Sequence, residues 1–276
     1  MSNTEQRIAT KLRSYFGFKA LPFTKDLEAE EVYPIDSQEK GFDRLRYLVD
    51  RKGIGAVFGT PGSGKSTLLR RLIAMLGKSS HMVCYINQTT CAILDLYREI
   101  ARGFGLEPRY RKADVMRELG ERLVYFSRTK GIQPVLIIDE AHMLHAAFLD
   151  ELRLLTSFDA DGREELVLIL AGHPQLETNL QLGVNEALAQ RIFLKVTLLP
   201  LKPEEVAGYI DFRLEKVGRT GKLFLPDAIE AIYRGSNGIP RKIDRICEYA
   251  ILLAMESKCK EIDSRLVMEA IEEVIP

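Results

Sequence analysis

The chain has 276 residues, of which 46% are hydrophobic, as is typical of a globular protein with a buried core. Lys and Arg together number 39, as do Asp and Glu, so any basic surface for nucleic acid must be local. No apolar run approaches the roughly 18 residues needed to cross a bilayer, and the polar stretch from Met1 to Ser14 lacks the apolar centre of a signal peptide. We therefore expect a cytoplasmic protein that does not engage a membrane.

Short apolar runs alternate with amphipathic segments in the first two thirds of the chain. This alternation favours an α/β fold with a parallel five-stranded sheet flanked by helices. Beyond Lys202 the spacing of apolar residues is helical throughout. We predict an N-terminal extension over residues 1–36, an α/β domain over 37–201 and a small all-helical domain over 202–276. The predicted strands are Ile54–Phe58, Met82–Ile86, Val135–Ile138, Leu166–Ala171 and Ile192–Leu198.

The first predicted strand leads into Gly-Thr-Pro-Gly-Ser-Gly-Lys-Ser, the complete pattern G-x-x-x-x-G-K-[ST]. Its glycines let the backbone turn and direct N–H groups at phosphate oxygens. Lys65 can reach the β- and γ-phosphates, and Ser66 offers a hydroxyl to Mg²⁺. A chance glycine-rich turn is the alternative, but the strand before the loop and the helical spacing after it favour a site for ATP and Mg²⁺. The predicted nucleotide-binding residues are Gly59, Thr60, Pro61, Gly62, Ser63, Gly64, Lys65, Ser66 and Thr67.

A second motif, Asp-Glu-Ala-His, follows the apolar run Val135–Ile138. Asp139 is predicted to share Mg²⁺ with Ser66, and Glu140 to polarise a water molecule for attack on the γ-phosphate. The alternative is a buried strand that merely exits at an acidic turn. Two-lobed helicases also carry Asp-Glu-Ala-His, but this chain has room for one nucleotide-binding lobe. We interpret His142 as orienting the acidic turn, because no partner ligands for a metal cluster with it in the sequence.

In their order along the chain, these motifs resemble those of the AAA+ ATPases. The resemblance covers roughly Tyr15 to Val274, and within the AAA+ proteins it is strongest to the ExeA-like group. That group includes secretion-system ATPases and regulators of DNA transposition of the TnsC, IstB and MuB type. The resemblance implies an AAA+ core with a helical lid. It is carried by the phosphate loop, Asp139-Glu140, Gly172-His173, Arg191, Gly238-Ile239-Pro240-Arg241 and the opening Tyr15-Phe16-Gly17-Phe18…Pro22-Phe23.

The same resemblance implies roles for four further residues. Arg241 would sense the γ-phosphate from the lid, and Arg191 would be an arginine finger inserted into the site of a neighbouring subunit. His173 matches the polar residue after the fourth strand, and Asn87 matches an asparagine that holds the catalytic glutamate inactive. For each of these residues, a solvated surface side chain is the alternative.

Assembly and DNA binding also follow from the resemblance. An arginine finger implies an ATP-dependent ring or filament, and the transposition regulators thread duplex DNA through such an assembly. Backbone contacts of this kind carry little sequence preference. The alternative to DNA binding is that the two loops concerned are merely solvated. The predicted DNA-contacting residues are Thr89 and Thr90 after the second strand, and Arg109, Arg111 and Lys112 before a helix.

We predict an ATP-dependent DNA-binding regulator that recruits or activates a transposase, with hydrolysis controlling disassembly. The alternative is a secretion-system ATPase for cell-envelope assembly, and a more distant one is a loader that remodels a protein partner. The secretion-type proteins carry a transmembrane segment and a peptidoglycan-binding part after the ATPase domain. Since neither occurs before Pro276, the transposition role is the one we expect.

Overall fold

The computed structural model describes residues 3–24, 32–87, 89–90, 92–156 and 165–274. Its contacts divide the chain into two compact units, one formed by Asp36–Leu198 and the other by Met1–Ile35 together with Leu199–Pro276. The N-terminal segment is thus grouped with the C-terminal helices, a pairing that sequence patterns did not suggest. The three domain ranges expected from the sequence stay a prediction.

The first unit contains a parallel sheet of five strands in the order β2-β3-β4-β1-β5. Every residue of β1, β3 and β4 is buried, because helices cover both faces of the sheet. The predicted α/β class and the five-stranded parallel sheet are therefore confirmed. The strands are β1 (Ile54–Gly59), β2 (His81–Ile86), β3 (Gln133–Ile138), β4 (Val167–Gly172) and β5 (Ile192–Leu198).

Twelve α-helices are found in the described part of the chain. Of these, α2 to α8 belong to the sheet-containing unit, and α1 and α9 to α12 to the other. A π-helical turn (Tyr125–Lys130) extends α5. The helices are α1 (Asn3–Phe16), α2 (Asp36–Arg51), α3 (Lys65–Met75), α4 (Ile93–Gly103), α5 (Lys112–Val124), α6 (Ala146–Leu155), α7 (Pro174–Gln181), α8 (Glu186–Ala189), α9 (Pro203–Lys216), α10 (Pro226–Ser236), α11 (Pro240–Glu256) and α12 (Ser264–Val274).

Alternate residues of the strands supply two separate cores. Leu136 and Ile138 of β3 pack with apolar residues of α4, α5 and α6. Val135 and Ile137 lie on the opposite face and pack with residues of α2 and α3. This alternation follows from the two-residue period of a strand, and it explains why the strands read as continuous apolar runs.

The strand order places three loops side by side. Because β3, β4 and β1 are adjacent and parallel, the loops that follow them leave the same edge of the sheet. Asp139 lies in the loop after β3 and His173 in the loop after β4, and the loop after β1 is the phosphate loop. Open parallel sheets bind ligands at this edge. Arg191 instead precedes β5, and so lies at the edge where the strands begin.

In the helical unit, one buried arginine holds the N-terminal segment. Arg213 of α9 donates hydrogen bonds of 2.8 Å from Nε to the carbonyl of Pro22 and from Nη2 to the carbonyl of Thr24. Phe23, between these residues, is buried in the same apolar cluster as the helices. The aromatic opening of the chain is therefore part of the core of this unit.

The Gly-Ile-Pro-Arg motif requires glycine at its first position. Gly238 has φ of +70°, and a Cβ there would lie 2.1 Å from the carbonyl oxygen of Leu201. The Leu201 N–H donates to the Gly238 carbonyl at 2.8 Å, which keeps the two backbones close. Pro240 then begins α11 at a position where its missing N–H costs nothing.

In the described residues, the longest apolar stretches of helix fall short of what crossing a bilayer requires.

Candidate nucleotide-binding and hydrolysis site

Three glycines shape the phosphate loop. Gly62 and Gly64 have φ of +84° and +97°, a region that side chains rarely adopt. A Cβ on Gly59 would lie 2.3 Å from Oγ of Ser63. The loop turns directly into α3, which begins at Lys65. A tight turn that leads directly into a helix N-terminus is an arrangement in which backbone N–H groups bind anions.

Lys65 is folded over this loop and is only 5% exposed. Its Nζ donates to the carbonyls of Gly59, at 2.8 Å, and Thr60, at 3.3 Å. The hydroxyls of Thr60 and Ser63 are buried without a hydrogen-bond partner among the described residues. Buried hydroxyls normally have partners, so this set of donors fits the oxygens of a phosphate group.

Gln38 of α2 supports the loop from behind. Its Nε2 donates to the carbonyl of Ser63 at 3.1 Å, and a Cβ on Gly64 would lie 2.3 Å from the same nitrogen. The dihedral angle favours glycine at position 64, and a side chain there would also displace the Gln38 amide. Gln38 was not predicted, because it lies before the first strand in an ordinary amphipathic helix.

Asp139 lies in a network that joins three elements. Its Oδ2 accepts hydrogen bonds from Oγ of Ser66, at 2.8 Å, and from the hydroxyl of Tyr85, at 2.7 Å. Its Oδ1 accepts from the N–H of Glu140 at 2.9 Å. The side-by-side oxygens of Ser66 and Asp139 are the hard ligands that Mg²⁺ prefers. Burial, and then the hydrogen bond to Asp139, raise the pKa of the Tyr85 hydroxyl, which therefore acts as a donor.

Glu140 lies next to two histidines. Its Oε2 is 3.4 Å from Nδ1 of His142 and 3.5 Å from Nε2 of His173. The two imidazole rings are stacked with centroids 4.0 Å apart. Burial, and then the nearby His142 and Lys65, lower the pKa of His173. From the sequence we expected no further metal-ligand side chains near His142, and this expectation is wrong. His173, 31 residues further along the chain, lies against His142.

The loop after β2 contacts Glu140 through a residue that was predicted for another role. Thr89 is 3% exposed, and its Oγ1 donates to the Glu140 carbonyl at 3.2 Å. This corrects the expectation that Thr89 contacts DNA, which requires an exposed side chain. Thr90 and Asn87 are exposed. Within the described residues, Asn87 makes no side-chain hydrogen bond to Glu140.

The two predicted arginines lie in different units. Nη1 of Arg191 donates to the Arg153 carbonyl and to Oγ1 of Thr156, both at 3.2 Å, at the C-terminal end of α6. Since Arg191 precedes β5, it lies at the opposite edge of the sheet from the phosphate loop of its own chain. Arg241 is exposed in the first turn of α11. The finger and sensor roles stay predictions.

The basic turn before α5 is exposed, but part of its charge is neutralised. Arg109 pairs with Glu118 at 2.9 Å, and Lys112 pairs with Glu151 at 2.6 Å. Tyr110 is 88% exposed. Arg111 is also exposed and forms no ion pair with any residue in the described ranges.

Residues 48–180 match a protein family described as an AAA domain. The chain is 31% identical over 244 residues to general secretion pathway protein A of Aeromonas hydrophila, covering 87% of this chain and 44% of that protein. It is also 31% identical over 156 residues to ATP-dependent target DNA activator B of Escherichia phage Mu, covering 55% of this chain and 45% of the relative. The chain thus spans about half the length of these curated relatives.

Solved structures agree on the fold. The crystal structure of Cdc6p from Pyrobaculum aerophilum superposes with a TM-score of 0.71 at 18% identity, covering 92% of this chain and 70% of that one. The predicted resemblance is confirmed, since the same chain is similar to a secretion protein A and to a Mu-type DNA activator. The chain has an AAA domain, an intact phosphate loop and an acidic pair, and it is related both to the secretion protein and to the DNA activator. It therefore belongs to the AAA+ ATPases.

Proposed function

We propose that the chain is an ATP-dependent DNA-binding regulator of transposition that assembles on duplex DNA and recruits or activates a transposase. The observation that carries the proposal is the exposed turn at residues 109–111. There Tyr110 is exposed and Arg111 forms no ion pair with a described residue, in a chain that is similar to a target DNA activator. Exposed cations contact phosphates, and aromatic rings stack on sugars or bases. ATP hydrolysis would then control how long the assembly persists.

The residues of the site support hydrolysis by direct attack of water. The loop N–H groups and Lys65 would bind the phosphates, and Glu140 would accept a proton from the attacking water. We infer that Ser66 and Asp139 hold Mg²⁺, which when bound would neutralise charge on the β- and γ-phosphates. Thr89 and the two histidines would hold Glu140 in place.

Assembly into a ring or filament would complete each site. Arg191 lies on the far edge of the sheet from its own phosphate loop, so within the proposal it serves a neighbouring subunit. Its bonds to the end of α6 already orient the guanidinium group. An arginine supplied from a neighbouring subunit stabilises the negative charge that develops in phosphoryl transfer.

The proposal is tested by binding of the full chain to random-sequence duplex DNA with ATP, with ADP and without nucleotide, over a salt series. We expect binding that requires ATP and weakens steeply with salt. Arg111→Ala should weaken binding and lower the salt slope by about one. Arg117→Ala is the matched control, because Arg117 is an exposed arginine on the helix that follows the turn and is paired with Glu121. Absence of ATP-dependent DNA binding contradicts the proposal.

The second candidate is an ATPase of a general secretion pathway. The similarity to secretion protein A favours it, because it extends over 87% of this chain against 55% for the Mu activator. The same titration separates the two. A chain that hydrolyses ATP and assembles without binding DNA under any nucleotide condition supports the secretion role.

A further inference from the structure

We propose that Glu140, His142 and His173 form a binding site for a transition-metal ion of the zinc class, and that its occupation slows ATP hydrolysis. One ligand atom from each side chain lies within 4.8 Å of the other two. These side chains come from two loops at the edge of the sheet where the phosphate loop also lies.

The spacing of the ligand atoms fits zinc. Bonds of about 2.0–2.1 Å from a tetrahedral Zn²⁺ place neighbouring ligand atoms about 3.3–3.4 Å apart. In this structure, Oε2 of Glu140 lies 3.4 Å from Nδ1 of His142 and 3.5 Å from Nε2 of His173. Two imidazoles and one carboxylate are also a ligand set of zinc sites that keep one position open.

The donor chemistry separates this site from the one proposed for Mg²⁺. Ser66 and Asp139 offer oxygen alone, which suits magnesium. The cluster at Glu140 offers two nitrogens and one oxygen, and imidazole nitrogen favours zinc and similar ions over magnesium. Two different ions can therefore occupy adjacent positions without competing for the same ligands.

The surroundings of the cluster allow the small changes that binding requires. The rings are stacked, with 23° between their planes, so they must rotate for their nitrogen lone pairs to converge. His142 and His173 are partly exposed, and Nδ1 of His142 receives only a long hydrogen bond of 3.5 Å from the His173 N–H. The charge of Lys65 opposes a cation here, whereas the charges of Glu140 and Asp139 favour it.

Inhibition follows from the identity of the oxygen ligand. Zn²⁺ bound to Oε2 would hold the Glu140 carboxylate against the histidines and make it a weaker base, so an occupied site would leave ATP bound and slow its hydrolysis. This consequence rests on the proposed role of Glu140 in hydrolysis. Metal binding itself does not rest on it, so the two are tested separately.

Binding is tested on the full chain without nucleotide or Mg²⁺, by calorimetry with Zn²⁺ and by the absorption of tetrahedral Co²⁺. We expect one ion per chain, and affinity lowered by at least about tenfold in both His142→Gln and His173→Gln. The other two of the four histidines supply matched controls, His81→Gln and His145→Gln, which should bind like the parent chain.

The parent chain for these titrations carries Cys91→Ser and Cys259→Ser, because thiolates also bind zinc. Circular dichroism shows whether each variant is folded. Zinc affinity that is equal in the cluster variants and in the two controls overturns the proposal, as does the absence of binding.

Inhibition is tested by adding Zn²⁺ to the chain during steady hydrolysis of Mg·ATP. We expect hydrolysis to fall in step with occupation of the site and to recover when a zinc-selective chelator is added, while bound fluorescent ATP is retained. Hydrolysis that continues undiminished at full zinc occupation overturns the inhibitory role. Normal hydrolysis by Glu140→Gln would instead overturn the role proposed for Glu140, and the zinc titrations would stand.

Discussion

The hydroxyl of Tyr85 donates a 2.7 Å hydrogen bond to Oδ2 of Asp139, the same oxygen that accepts a hydrogen bond from Ser66. Tyr85 lies on β2 and Asp139 directly follows β3, the neighbouring strand. With both oxygens of Asp139 engaged, the carboxylate is held in one orientation, as suits the Mg²⁺ ligand that we propose it to be. Preorganisation of this kind is the usual role of residues that contact a metal ligand.

Tyr85→Phe tests this relationship. Loss of the hydroxyl frees one side of the Asp139 carboxylate, so we expect the Mg²⁺ concentration for half-maximal hydrolysis to rise about tenfold. The maximal rate at saturating Mg²⁺ should change much less. Tyr47→Phe, an exposed tyrosine on α2, is the matched control. An unchanged Mg²⁺ dependence would mean that the hydrogen bond does not position Asp139.

Lys65→Ala and Glu140→Gln should separate nucleotide binding from hydrolysis. Lys65 is the cation of the loop, so its loss should abolish binding of fluorescent ATP. Glu140→Gln keeps the size of the side chain but removes the proton acceptor. It should bind ATP normally and hydrolyse it at least about 100-fold more slowly. If Glu140→Gln turns over at the normal rate, another residue activates the water.

Mixing two inactive variants tests whether Arg191 acts between subunits. Arg191→Ala and Glu140→Gln should each hydrolyse ATP poorly on their own. In mixed assemblies, a site with an intact Glu140 can receive Arg191 from a neighbouring Glu140→Gln subunit, so partial activity should return. Sedimentation confirms that mixed assemblies form. Their failure to regain activity would assign Arg191 to holding the end of α6 alone.

Asp244 should make stability depend on pH in an unusual direction. Burial raises the pKa of this carboxyl from 3.8 to about 6, against the opposing effects of Arg213 and Tyr209, and Glu248 raises it further. Between pH 4 and 6, the folded chain therefore holds a proton that the unfolded chain has lost, and this contribution to stability falls as the pH rises.

The variant Asp244→Asn lacks this titration. Relative to the variant, the free energy of unfolding of the native chain should fall by up to about 3 kcal/mol as the pH rises from 4 to 6. Urea titrations at several pH values measure the difference. A difference that stays constant would show that Arg213 and burial cancel, and one that grows with pH would show that Arg213 stabilises the ionised carboxylate more than burial disfavours it.

Arg213→Met should loosen the N-terminal segment. The change keeps most of the side-chain volume but removes the donors to Pro22 and Thr24, so we expect a loss of about 3 kcal/mol in the free energy of unfolding. Limited proteolysis should cut earlier near the N-terminus. Arg234→Met, an exposed arginine paired with Glu230, is the control and should change little. Equal effects of the two changes would contradict a holding role for Arg213.

Much of the site was predictable because its key residues are contiguous in sequence. The phosphate loop and Asp139-Glu140 each follow an apolar strand directly. The apolar run predicts the strand, and the residues after it predict the phosphate-binding and acidic groups. The parallel sheet was predictable for a similar reason, since strands buried on both faces are apolar throughout.

The start of β3 was missed because Gln133 and Pro134 interrupt that pattern. Gln133 is buried nonetheless, with its amide donating to the Glu165 carbonyl at 3.0 Å.

Other features depend on which loops meet, and local patterns carry no information about that. The order β2-β3-β4-β1-β5 brings Tyr85 to Asp139 and His173 to His142, across 54 and 31 residues of chain. The same packing turned Thr89 inward to the Glu140 carbonyl. The sequence by itself determined that this chain is a nucleotide-hydrolysing α/β protein, because strand burial and phosphate binding are local properties. Only the tertiary structure decided which side chains surround the Glu140 carboxylate, because strand order sets those distances.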